Sequence, residues 1–215
     1  MRTILLLCFL IVTTAVKAQF MGFGHHWVAG CYYDLEGKKT TGLLSEYIKE
    51  PSLFDGPEKY FLFKENKDSA KIKVLAKNVR SFVAERDSFV ISNSKILNET
   101  PFIQVIIDKQ TKLYVARLPR QTPGFGVMSG AGAIVTSIGV SFSYTKNKYY
   151  YGESPDSITQ VKRKNFVEVM SKIMADKPEA VAKIKNETFT FGYIDNLIDF
   201  YLTGKMPKQD DENDE

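Results

Sequence analysis

Cysteine is scarce in this sequence, which has two cysteines among 215 residues. Cys8 lies in the N-terminal stretch 1–18, which has the pattern of a cleaved signal peptide, so Cys31 is the only thiol expected in the mature chain. A single thiol excludes an intramolecular disulfide. The mature protein must therefore be stabilised by a hydrophobic core, and 44% hydrophobic and 13% aromatic residues are enough to form one.

Long apolar runs are also absent. The run that begins after Arg2 is interrupted by Thr13 and Lys17, whereas a membrane-spanning helix needs about 20 apolar residues. A positive start, a short apolar run and small residues at Val16 and Ala18 are typical of a secretory signal peptide cleaved after Ala18. We therefore expect an exported protein, periplasmic or associated with the outer membrane, with no transmembrane helix in its mature chain.

Histidine is equally rare, and the usual catalytic motifs are missing. His25 and His26 are adjacent, so on a strand they would point to opposite faces and would not share a metal ion. The sequence has no G-x-S-x-G motif, and residues 124–130 depart from G-x-G-x-x-G by one position. Cys31 lies in a predicted strand, where a buried, unreactive thiol is the usual state. The sequence predicts no metal, cofactor or catalytic residue and favours a non-enzymatic protein.

The charge excess is small and unevenly distributed. The formal net charge of +4 becomes +2 once residues 1–18 are removed, and five of the last six residues are acidic. We expect residues 206–215 to form a disordered acidic tail. The remaining body is modestly basic, which is typical of a soluble surface and is compatible with a glycan or anionic polymer as partner. No nucleic-acid partner is expected.

Residues 19–157 have the pattern of an antiparallel β-rich region. Short runs of strand-forming residues alternate with polar turns, and the sequence Asp34-Leu35-Glu36-Gly37 favours a tight turn. This pattern predicts a sandwich or partly open barrel. Four hairpins are predicted, which pair residues 27–33 with 40–47, 59–63 with 71–75, 79–84 with 88–91, and 102–107 with 112–118.

Residues 158–205 show helical periodicity and predict three short helices packed on the sheet, which gives an α+β protein. The first is expected to begin with a capping box formed by Asn165 and Glu168. The second is expected to begin at Pro178. Thr190 can cap the third, and Gly204 provides its stop. The residues expected on the buried faces are Phe166, Val169, Met170, Ile173, Val181, Ile184, Tyr193, Ile194, Leu197, Ile198, Tyr201 and Leu202.

One segment mixes tyrosine with lysine, a composition found on ligand-binding surfaces because aromatic faces stack on ligands and lysines contact anionic groups. Residues 145–148 are predicted to form a turn within this segment. Replacement of its three consecutive tyrosines by serine is expected to abolish binding without unfolding the protein. The candidate ligand-binding residues are Tyr144, Lys146, Lys148, Tyr149, Tyr150 and Tyr151.

Several of these segments, taken in order, resemble an uncharacterised family of exported Bacteroidetes proteins. The resemblance covers 30–37, 42–44, 79–82, 87–91, 102–107, 112–114, 165–170, Lys177-Pro178 and 193–201. It implies a β-rich domain followed by C-terminal helices, and it carries over no activity and no catalytic residues. The sequence departs from that family in its Gly/Ser-rich stretch 124–143.

These observations favour a non-catalytic binding or accessory module of the cell envelope, with an envelope protein or a glycan as partner. Two alternatives remain open. One is a hydrolase that acts on an envelope polymer through carboxylates brought together only by the fold. The other is a structural subunit of an envelope assembly or secretion complex, which would expose an apolar patch.

Overall fold

The computed structural model describes residues 27–45, 59–121 and 143–207, without the side chains of 119–121 and 143–144. Ten strands are followed by three helices, which confirms the predicted α+β class. The strands are β1 (Trp27–Asp34), β2 (Lys39–Ser45), β3 (Tyr60–Lys64), β4 (Ile72–Leu75), β5 (Val79–Ala84), β6 (Asp87–Ile91), β7 (Phe102–Ile107), β8 (Lys112–Gln121), β9 (Ser143–Ser154) and β10 (Ser157–Gln160). The helices are α1 (Phe166–Ile173), α2 (Pro178–Lys185) and α3 (Ile194–Thr203).

All ten strands belong to one antiparallel sheet in the order β10-β9-β8-β7-β6-β5-β1-β2-β3-β4. Strands β1–β4 form one meander and β5–β10 another, and the pairing of β1 with β5 joins them. The four predicted hairpins are confirmed as the pairs β1–β2, β3–β4, β5–β6 and β7–β8. In the first turn, the Asp34 carboxylate accepts a hydrogen bond from the Lys38 backbone N–H at 2.7 Å.

The first half of the sheet curls around an aromatic core. Phe61 of β3 lies 6.3 Å from Phe102 of β7, measured between ring centroids, although four strands separate β3 from β7 in the sheet order. Phe82 lies between them and stacks on Phe89 with centroids 4.6 Å apart. Cys31 is buried in β1, as expected for an unreactive thiol. Within the described residues, the strand order ends at β10 and β4 without a pairing between them, so the predicted antiparallel sheet is an open one.

The three helices cover the other half of the sheet. Their buried side chains pack with Leu113, Val115 and Tyr149 of β8 and β9 in a second core. The cross-strand pairs Phe82–Phe89, Phe89–Gln104 and Gln104–Val115 place this core on the same sheet face as the aromatic core. We call the opposite surface the outer face.

The predicted helical faces are largely confirmed, but two details of the helix starts were wrong. Asn165 is the N-cap residue of α1, but its side chain makes no capping hydrogen bond to this helix, and its oxygen instead accepts from the Lys162 backbone N–H at 2.6 Å. Thr190 precedes a single 3₁₀ turn, and α3 begins only at Ile194. Gly204 ends α3 in a left-handed conformation, as predicted. Tyr193 and Leu202 are exposed, whereas Phe200 is buried, so the buried face of α3 is rotated from the predicted one.

The turn predicted at residues 145–148 was also wrong. These residues pair continuously with β8, from Pro119–Thr145 to Ala116–Lys148, and so lie inside β9. Their backbone hydrogen bonds come from a partner strand, and such pairing overrides the turn preference of the Lys-Asn-Lys sequence.

Within the described residues, no helix is long and apolar enough to cross a membrane. The predicted signal peptide, His25 and His26 lie outside the described residues. So do residues 122–142 of the Gly/Ser-rich stretch and the acidic tail from residue 208.

Candidate functional site

The tyrosine–lysine segment forms strand β9, and the alternation of a strand divides its side chains between two faces. Tyr149 and Tyr151 pack in the core beneath the helices. Tyr150 packs on the outer face with Tyr114 and Ile103. The three consecutive tyrosines therefore do not share one surface.

The remaining predicted positions follow Tyr150 along the outer face. Lys148 and Lys146 are cross-strand neighbours of Ala116 and Leu118. Lys148 is partly exposed and Lys146 is exposed. The backbone of Tyr144 pairs with Arg120 in the same alternation, and its side chain lies outside the described set. Successive side chains on one face of a strand lie about 7 Å apart, so the two lysines form a short basic row.

Strands β8 and β9 extend beyond their neighbours as a two-stranded arm, which we define as residues 116–121 and 143–148. The register pairs of β7 with β8 end at Gln104–Val115, and those of β10 with β9 end at Gln160–Tyr150. The pairs of β8 with β9 continue to Gln121–Ser143. The arm contains no acidic residues. Its four basic residues are Arg117, Arg120, Lys146 and Lys148.

A shallow groove lies at the base of the arm on the outer face. One wall is the loop 92–101 between β6 and β7, and the floor is formed by β8 and β9. The empty volume of the groove is about 160 Å³, which includes open solvent, and no part of the groove encloses a space large enough for a water molecule. Its lining residues are Leu97, Asn98, Glu99, Thr100, Ala116, Leu118, Lys148 and Tyr150.

An ion pair connects the two walls of this groove. Lys148 Nζ lies 2.5 Å from Glu99 Oε1, with the lysine side chain 26% and the glutamate side chain 32% exposed. Burial first, and then the nearby Glu99 charge, raises the pKa of Tyr150, which keeps its phenol protonated as a donor. Burial alone raises the pKa of the neighbouring Tyr114 to about 12. The groove therefore presents an ammonium group and a carboxylate, while the Tyr114 and Tyr150 rings are buried beneath it.

Tyr149 has a structural contact on the helix side. Its hydroxyl donates to Asp195 Oδ1, to which Asn147 Nδ2 also donates at 3.0 Å. Burial first, and then the hydrogen bond to Asp195, raises the pKa of Tyr149. These contacts attach the N-terminal end of α3 to the arm, so Tyr149 positions the helix and lies away from the groove.

A second polar cluster attaches the helices to the β7–β8 turn. Lys109 Nζ donates to the backbone oxygen of Ile173 at 3.2 Å, to Asp176 and to Tyr201. The Tyr201 hydroxyl also donates to Asp176, at 3.0–3.1 Å. The hydrogen bond from Lys109 is the main cause that lowers the pKa of Asp176. Desolvation lowers the pKa of Lys109, but its hydrogen bonds to Asp176 and Tyr201 outweigh this effect and raise it above 10.5.

The Asp176→Asn variant is expected to melt at a lower temperature than the unsubstituted protein at neutral pH. The lowered pKa of Asp176 provides stability above the unfolded value of 3.8, and this stability is lost as pH falls through the lower folded value. The raised pKa of Lys109 provides stability below 10.5, which is lost as pH rises through the higher folded value. In thermal melts across pH, the difference in melting temperature between the two proteins should therefore become smaller at both low and high pH. Asp199→Asn, at an exposed acid of α3, serves as control, and an equal melting temperature for both variants at pH 7 would contradict the prediction.

Carboxylates at a glycosidase-like separation would be the signature of the hydrolase alternative. Glu99 is the one acid that lines the groove, and it is paired with Lys148. Across the described ranges, no three His, Cys, Asp or Glu side chains lie close enough together to hold a metal ion.

The loop 92–101 is the part of the site that sequence reasoning missed. Asn98 appears in the sequence only as part of an Asn-Glu-Thr triplet, and Glu99 has no local pattern around it. Of the basic residues of β8, Arg117 lies within the predicted strand 112–118 and Arg120 lies just beyond it, but the pairing of this strand with residues 143–152 was not predicted. Comparison of the chain with protein-family models, curated proteins and solved structures finds no match in any of the three.

Proposed function

We propose that this chain is an exported, non-catalytic binding module that holds an acidic polysaccharide along the outer face of its β8–β9 arm. The observation that carries the proposal is the basic character of this arm, which contains no acids. Of its four basic residues, Arg117 lies on the opposite face, where its Nε donates to Gln104 Oε1 at 2.9 Å. Two others, Lys146 and Lys148, lie on the outer face beside the groove. A row of cations at strand spacing suits a polymer with repeated negative charges.

The other groups of the groove favour a sugar polymer over a simple anion. Asn98 is exposed and provides an amide, whereas the Tyr150 phenol is buried beneath the groove. Amide groups hydrogen-bond to sugar hydroxyls, while the lysines contact the acidic groups. The groove is open and shallow, so a chain lying across the surface fits it better than an enclosed small molecule does.

The double variant Lys146→Gln/Lys148→Gln is expected to bind polygalacturonate about tenfold more weakly than the unsubstituted protein at low salt, because two cation–carboxylate contacts are lost. The difference should shrink as salt is added, since partly exposed charges are screened. Isothermal titration or biolayer interferometry at two salt concentrations measures both effects. Circular dichroism verifies that the variant is folded.

Lys172→Gln/Lys185→Gln is the matched control, because it removes two exposed positive charges from α1 and α2, on the helix side of the sheet. Equal binding by all three proteins, or no binding by any, would overturn the proposal. Poly-L-glutamate and polyphosphate serve as further probes. Tighter binding to either of them than to polygalacturonate would assign the arm to an acidic protein or to a phosphate polymer instead.

A further inference from the structure

The Lys148 ammonium group of the groove already forms an ion pair with a carboxylate of the protein itself. Glu99 Oε1 lies 2.5 Å from Lys148 Nζ, and both side chains are about one-third exposed or less. Glu99 also lies close enough to Tyr150 for its charge to raise the pKa of that phenol. The Glu99 carboxylate thus stands where the acidic group of a ligand would contact Lys148.

The loop that carries Glu99 is anchored by other contacts. At its start, Ser92 Oγ donates to the backbone oxygen of Pro155 at 2.6 Å, and the Asn93 backbone N–H donates to Asp156 at 2.6 Å. The Ser92 backbone N–H donates to the Pro101 oxygen at 2.9 Å, which closes the base of the loop. These bonds hold the base of the loop without using the Glu99–Lys148 pair.

We propose that Glu99 is an internal competitor that holds the anion position at Lys148 and leaves it when an acidic ligand binds. This inference rests on the proposed function, since it concerns the same groove. The exchange replaces one carboxylate on Lys148 by another and forms or breaks no covalent bond. Part of the ligand's binding free energy is therefore offset by loss of the Glu99–Lys148 pair, and removal of the Glu99 charge strengthens binding.

Glu99→Gln tests this directly, because glutamine has nearly the same shape and no charge. Its dissociation constant for polygalacturonate is expected to be about three- to fivefold lower than that of the unsubstituted protein, which is the scale of one partly exposed ion pair. Glu153→Gln is the matched control, since it removes an exposed acid from β9 with the same change in net charge. Its affinity should rise much less. Glu99→Ala, verified as folded by circular dichroism, provides a second variant.

The results separate this inference from the proposed function. If the unsubstituted protein binds and Lys146→Gln/Lys148→Gln weakens binding, but Glu99→Gln binds equally or more weakly, the competitor is refuted and the binding module stands. If Glu99→Gln and Glu153→Gln gain affinity equally, the effect comes from net charge and the competitor is again refuted. Binding that appears only in the Glu99 variants supports the competitor strongly. Absence of binding in every variant overturns both proposals.

Discussion

The Gly42→Ala variant is expected to lose about 3 kcal/mol of unfolding free energy, or to fail to fold at all. A Cβ atom at position 42 would lie 2.2 Å from the Lys64 backbone oxygen and 2.5 Å from the Phe63 ring. The first of these is backbone of the paired strand β3 and can move only if the sheet opens. Urea denaturation monitored by circular dichroism measures the loss.

The reason for this sensitivity is a line of small residues across the curled half of the sheet. Gly30 of β1 lies opposite both Gly42 of β2 and Ala84 of β5. A Cβ at position 30 would lie 2.1 Å from the Val83 backbone oxygen, so the same close approach continues across β1. Strands can approach and curl here because no side chain separates them.

Gly192→Ala is the control for this prediction. A Cβ atom added at position 192 would have Thr190 Oγ1 as its nearest neighbour, at 3.9 Å, which is an ordinary van der Waals distance. Its stability should stay within about 0.5 kcal/mol of the unsubstituted protein. A Gly42→Ala variant as stable as Gly192→Ala would show that the β3 backbone does not lie as close to Gly42 as described.

The second large effect is expected from replacing Tyr149, Tyr150 and Tyr151 together by serine. Tyr149 is 6% and Tyr150 is 3% exposed, and they belong to cores on opposite faces of the sheet. Loss of a buried aromatic ring costs about 3 kcal/mol or more, so two of them approach the whole stability of a typical domain. The triple variant should be unfolded at 25 °C, which reverses the expectation that it would lose binding alone.

Near-UV circular dichroism and urea denaturation check this outcome. Lys146→Gln/Lys148→Gln alters the same strand without removing a buried aromatic ring and should remain folded. A cooperative urea transition and a native near-UV spectrum for the triple variant would contradict the burial of Tyr149 and Tyr150. Loss of function must therefore be tested at the lysines.

Short-range sequence patterns were sufficient to predict most of the strands and helices. The predicted hairpins were confirmed because alternation and turn residues act over a few positions, as in the Asp34 turn. The helix faces of Met170 and Leu197 were correct for the same reason. The pairing of β1 with β5 had no local signal, because the residues between them are those of the intervening meander.

The site was predictable only in part. Lys148 and Tyr150 were identified by composition, and the structure places both in the groove. The assignment of neighbouring tyrosines to one surface ignored strand alternation, which turns Tyr149 toward the helices. Glu99 could not be identified, because its contact with Lys148 joins residues 49 positions apart, and β7 and β8 lie between the two in the sequence.

The order of the strands also has a kinetic consequence. Eight of the nine strand pairs within the described residues join consecutive strands, and β1–β5 is the exception. Hairpins of short separation form early, whereas pairing across a long intervening segment loses more chain entropy and is slower. We expect the β1–β5 pairing to limit the folding rate. Substitutions at Gly30 or Val83 should therefore slow refolding, whereas substitutions at the helix–sheet contact of Met170 should mainly accelerate unfolding.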